Sequence, residues 1–131
     1  MPNSSTDIVT LDVPQDVLVT HRTGTTSVDQ ITARERFALT GGTLNIYGSS
    51  GPSVFTQSFT QSGGTLGGTG EVQLQGTGSS WSGGSWTDGG TTRVLSGADL
   101  TVSGGYHYQS YRNLTVNAGG QLTWSGGRWY V

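Results

Sequence analysis

The chain has 131 residues, a net charge of -2, only 11% charged residues and no cysteine. This is enough for one domain with a core, and it excludes disulfides, thiolate nucleophiles and zinc–thiolate sites. All six basic residues are arginines scattered along the chain, so no phosphate track and no nucleic-acid partner are expected. No run approaches the ~18 apolar residues of a membrane helix, so no membrane insertion is expected.

Glycine (23), threonine (20) and serine (16) dominate, while Leu, Ile, Val and Phe together number 27. Such a chain folds if each short strand uses one or two apolar residues and turns consist of Gly, Ser and Thr. Helix is disfavoured, because Gly is about 1 kcal/mol worse than Ala in a helix interior. No window carries an i, i+3, i+4, i+7 apolar face. The expectation is all-β.

Residues 1–7 are polar and lack the basic and apolar regions of a secretory signal. Residues 8–20 read as two strands broken at Pro14-Gln15-Asp16, and residues 1–20 are expected as a tail with capping or linking strands. From residue 21 to 131 the chain divides into about five coils of 21–22 residues: 21–42, 43–63, 64–84, 85–105 and 106–127. Each has three strand-like runs, as in Gly64-Thr65-Leu66, Glu71–Gln75 and Ser80-Trp81-Ser82. The final run, Arg128-Trp129-Tyr130-Val131, reads as the opening strand of a sixth coil with an open end: either the chain is a module cut from a longer solenoid, or the open end has a partner.

The division rests on periodicity. Gly41-Gly42, Gly63-Gly64, Gly83-Gly84, Gly104-Gly105 and Gly126-Gly127 recur at nearly one interval. A core ladder of Phe37, Phe59, Trp81, Val102 and Trp124 keeps the same step. Leu44, Leu66, Trp86, Tyr108 and Trp129 form a looser second column. A fixed period of this length signals a stacked solenoid. Three strands per coil leave corners too short for helices, which points to a parallel β-helix with coils ~4.8 Å apart. The usual crossover rule makes it right-handed. An antiparallel β-sandwich is the alternative, but hairpins do not require a constant 22-residue column.

The runs Ala38–Leu44, Ser62–Gly70, Trp81-Ser82-Gly83-Gly84 and Leu122–Gly127 resemble repeats of the filamentous-haemagglutinin and autotransporter-passenger type of bacterial surface protein. The similarity extends over residues 8–131. Trp-Ser-Gly-Gly, present twice two coils apart, is its most specific element. The resemblance implies a right-handed β-helix, extracellular or at the cell surface, adhesin-like and without catalytic residues.

Candidate chemistry is sparse. Gly67-Gly68-Thr69-Gly70-Glu71 lacks the Asp of calcium-binding glycine-rich repeats, so neither a metal nor a cofactor is expected. Polysaccharide cleavage needs paired carboxylates or an acid with a basic partner. Asp88 and Asp99 fall on different faces, Glu71 and Arg93 fit a surface ion pair one coil apart, and His21 and His107 have no acid partner in sequence. No enzyme is expected. Ice binding needs a regular Thr-x-Thr face, and Thr23–Thr26 and Gly90–Thr92 share no register position. Glycan stacking is the alternative binding role, with Tyr106 and Tyr111 as contacts. The leading expectation is self-assembly: the strands at Ile8, Val9, Leu11 and Val13 cover the open end at Trp129, Tyr130 and Val131 of the next molecule, giving a head-to-tail homo-oligomer.

Overall fold

The computed structural model describes residues 3–131. Met1 and Pro2, the start of the expected tail, lie outside the described residues. The chain winds through six turns of three strands each. The first turn holds β1 (Ile8–Leu11), β2 (Leu18–His21) and β3 (Thr25–Val28). The second holds β4 (Gln30–Ala33), β5 (Arg36–Leu39) and β6 (Thr43–Ile46), and the third β7 (Ser53–Phe55), β8 (Phe59–Gln61) and β9 (Thr65–Gly67). The fourth holds β10 (Glu71–Leu74), β11 (Ser79–Trp81) and β12 (Gly84–Trp86). The fifth holds β13 (Thr91–Val94), β14 (Asp99–Val102) and β15 (Tyr106–Gln109), and the sixth β16 (Asn113–Val116), β17 (Gln121–Trp124) and β18 (Arg128–Tyr130). Every third strand pairs in parallel, giving three six-stranded sheets that begin at β1, β2 and β3. This is the all-β parallel solenoid the repeat implies.

Two boundaries differ from the sequence reading. Residues 8–20 are no separate cap: β1 and β2 pair in register with β4 and β5 as part of the first turn. There are accordingly six turns, and β18 completes the third sheet.

Alternation within each strand fills the interior. Inward Val72 and Leu74 flank outward Gln73, and inward Leu100 and Val102 flank Thr101. In the first sheet the column Leu11, Ala33, Phe55, Leu74, Val94, Val116 runs the whole length of the rod. In the second sheet Phe37 stacks on Phe59, with ring centroids 5.9 Å apart and planes 6° from parallel.

The predicted ladder does not continue from there. Ser79, not Trp81, follows Phe59, because Trp81 pairs with Gln61. The true columns are Val19, Phe37, Phe59, Ser79, Leu100, Leu122 and His21, Leu39, Gln61, Trp81, Val102, Trp124. The sequence ladder spliced the two, since the third turn is two residues shorter than the 22-residue step. The second predicted column breaks similarly: Leu44, Leu66 and Trp86 stack, but Gln109 follows Trp86, and Tyr108 faces outward.

The Gly-Gly corners are tight because equivalent corners lie one strand spacing apart. Gly64 has φ 70°, and a Cβ there would stand 2.6 Å from the Gly42 carbonyl oxygen. Gly97 has φ 83° with nothing within 4 Å of its Cβ position. Gly97→Ala is therefore expected to cost about 1 kcal/mol of left-handed strain, and Gly64→Ala about 3 kcal/mol, strain plus a backbone clash. Urea unfolding of both variants measures the difference; equal losses would mean that close approach contributes nothing.

Candidate functional site

The surfaces least satisfied by the fold are the two ends of the rod. At the first turn, Val9, Leu11 and Val19 are only partly buried against the core. With His21, Thr26 and Val28 they rim a concave apolar mouth of about 160 Å³. Glu35, itself buried, holds the connection between β1 and β2 by accepting hydrogen bonds from the backbone N–H of Val13 (2.9 Å) and Val17 (3.3 Å). Of the predicted interface residues on this side, Val9 and Leu11 face the mouth. Ile8 and Val13 are solvent-exposed, Ile8 because it alternates with Val9.

At the sixth turn, Leu114, Leu122 and Trp129 are partly buried against the core, while Val116 and Trp124 are exposed. Trp124 was expected inside the ladder. It does occupy an inward column, but no further strand covers it and it is 58% exposed. Trp129 packs edge-on to Trp81 and to Trp124, with centroids at 5.6 Å and 5.9 Å. Its indole N–H donates to Gln109 Oε1 at 2.9 Å. Tyr130 and Val131 are exposed.

A third surface is the outer face of the third sheet near this end. The Tyr130 ring stacks on Tyr108 (5.2 Å, 11°) and on Tyr106 (6.2 Å, 21°), and all three rings are exposed. Tyr111, the other predicted glycan contact, has φ 64° and is 89% exposed on the turn after β15; it does not belong to this stack.

Buried polar side chains join turns to one another, and composition and periodicity did not reveal them. Gln61 occupies an inward position, where its Oε1 accepts the Trp86 indole N–H at 2.7 Å and its Nε2 donates to the Gly64 and Ser85 carbonyls. Trp86 stacks on Trp81 at 3.9 Å. Strict alternation after Phe59 was the signal that would have placed Gln61 inside. His107 lies between turns, with Nδ1 3.0 Å from the Arg128 carbonyl and Nε2 2.8 Å from the Trp81 carbonyl.

Arg112, only 2% exposed, reaches furthest. Its guanidinium donates to the carbonyls of Gly68, Gly70 and Thr91 and to Thr92 Oγ1. Gly90 leaves room for it: a Cβ there would meet Arg112 Nη1. Burial lowers the Arg112 pKa to about 10, with the Asp88 charge acting in the opposite direction, so the group stays cationic at neutral pH.

The predicted Glu71–Arg93 pair forms at 3.0 Å, and Arg93 also donates to Asn117 Oδ1. Among the described residues no three His, Cys, Asp or Glu side chains gather as a metal cluster. His21 bonds to the Gly41 carbonyl and Thr26 Oγ1 rather than to an acid.

The fold defines the class: a β-solenoid repeat protein. Comparison with protein-family models, curated proteins and solved structures yields no match to this chain. The resemblance to bacterial surface repeats rests on the glycine-rich motifs alone.

Asp29 provides a pH test of corner stability. It is buried under the 48–51 turn, where Ser49 N–H (2.7 Å), the Ser49 hydroxyl and Ser50 N–H (3.0 Å) donate to its carboxylate. These bonds lower its pKa from 3.8 to about 2. The folded pKa lies below the unfolded one, so the stabilisation is complete above the unfolded value and disappears as pH falls through 3.8 toward 2. Wild type should exceed Asp29→Asn in denaturant stability at pH 6, with the gap narrowing below pH 3.8 and closing as pH falls through about 2. A gap independent of pH would contradict this assignment.

Proposed function

We propose that this protein is a non-catalytic structural β-solenoid that works outside the cell as a subunit of a head-to-tail assembly. The observation that carries this reading is the pair of open ends. Each presents three edge strands and a set of apolar side chains that would be interior anywhere else in the rod; at the first turn the Ser27 N–H of β3 already donates to Asn3 Oδ1 at 2.8 Å. Burying a fully exposed Leu or Val is worth about 1.5–3 kcal/mol, so completing the burial of these partly covered side chains gains a fraction of that each, and open edges are templates for strand addition. The ends differ from each other, one a hollow and the other an aromatic-rich projection. A contact between them is heterologous and does not close, which produces filaments. The extracellular setting is supported by the resemblance of the glycine-rich runs to surface-protein repeats.

Negative-stain electron microscopy at micromolar concentration tests the proposal. Filaments are expected with an axial repeat of about 29 Å, six strand spacings of ~4.8 Å. Leu122→Asp, at the partly exposed end, should leave the monomer folded and abolish them. Dispersed particles of the wild-type chain would rule out assembly.

A second reading, a glycan-binding module, is favoured by the stacked and exposed Tyr106, Tyr130 and Tyr108. Amphipathic aromatic rings grouped on a surface are suited to ligand contact. On this reading a glycan array gives at least one positive class, with binding reduced at least tenfold by Tyr130→Ala and unaffected by Tyr111→Ala. No binding by the wild type would remove this reading.

A further inference from the structure

We propose that the partner at the open ends is a second copy of this chain in one defined register. It is seated so that its first turn continues the inward columns of the sixth turn. This rests on the assembly reading above and adds a residue-level interface to it.

Every strand pair in the rod is parallel, and all three sheets contain six strands. The three edges at the far end are therefore in the same phase as the three at the near end, so one movement along the axis extends the first and second sheets directly, and the third once Asn3 Oδ1 releases the Ser27 N–H. The copies then point the same way, and the filament is polar.

The columns specify which residues meet. The first-sheet column runs from Leu11 to Val116, so Val116 falls on Leu11 of the next copy. By the same register Leu114 falls on Val9. In the second sheet Leu122 falls on Val19. Val9, Val19, Leu114 and Leu122 are left partly buried in the single chain, and this translation brings them together in pairs.

Size complementarity singles out one further pair. The column that begins at His21 ends at Trp124. His21 borders the hollow of about 160 Å³, and Trp124 is the exposed indole at the opposite end. In the proposed register the Trp124 ring enters the hollow and lies over the His21 ring of the next copy.

The absence of cysteine makes the register directly testable by cross-linking. Val19→Cys with Leu122→Cys places two thiols five strand spacings, ~24 Å, apart within one copy. A disulfide needs Cα atoms roughly 4.4–6.8 Å apart, so the pair can close only between copies. Leu11→Cys with Val116→Cys is the equivalent pair in the first sheet, and it keeps the test available if one variant fails to fold. Leu11→Cys with Leu122→Cys places the thiols on different sheets and serves as the mismatched control.

Mild oxidation of assembled protein should give a covalent ladder from a matched pair and none from the control. Filaments without a ladder from either folded matched pair, or an equal ladder from the control, would overturn the register while leaving assembly standing. Dimers from Val19→Cys or Leu122→Cys alone would show like ends meeting and overturn the polar arrangement. Absence of both filaments and ladder would overturn the register and the assembly reading together.

Discussion

The in-register parallel ladder is the constraint on which the rest of the structure depends. With turns about 4.8 Å apart, each inward side chain packs against its equivalents above and below as well as against neighbours in its own turn, as Phe59 does with Phe37 and Phe55. Size must therefore be balanced along a column and between neighbouring columns. Ala33 lies between Leu11 and Phe55. Ser79 lies in the column beside Trp81, so the small residue makes room for the large one. Its hydroxyl also accepts the Phe59 backbone N–H at 3.0 Å, which satisfies a polar group in an apolar environment.

Much of the architecture is legible from the residues because this constraint imposes a period. The Gly-Gly pairs mark real corners, the three strands per turn are real, and Glu71 and Arg93 do meet. The failures have one physical source: turns are not of equal length. Val19 to Phe37 is an 18-residue step and Phe37 to Phe59 a 22-residue step. Corners absorb such changes without disturbing the strands, whereas a reading based on even spacing carries the error into side-chain identity. Trp81 was thus placed under Phe59 rather than Gln61, and the first turn, shortened and without a Gly-Gly pair, was taken for a cap.

The polar interior was hidden for a different reason. Gln61, Gln109, His107 and Arg112 act through contacts one or two turns away, and apart from the alternation that puts Gln61 inside no local pattern marks them. Gln61 and Gln109 both accept an indole N–H, from Trp86 and Trp129 respectively. The Trp81 indole N–H, in contrast, is buried without a protein acceptor. The open ends were legible only as a mismatch between the first and last segments; that their exposed residues belong to common columns follows from the register.

Arg112 changes how such a rod comes apart. In a solenoid joined only between adjacent turns, stability is a sum of nearest-neighbour terms, and unfolding can proceed from an end one turn at a time. Arg112 projects from the connection between the fifth and sixth turns and holds carbonyls from the connection between the third and fourth. Fraying of the last turns must break this longer link, in which a buried cation loses several hydrogen bonds together. The third to sixth turns are therefore tied together, while the side-chain bonds of the first turns, such as Glu35 to Val13 and Val17 and Arg34 to Asp12, reach only the adjacent turn. Separating the turns anywhere between Gly70 and Arg112 has to break this link.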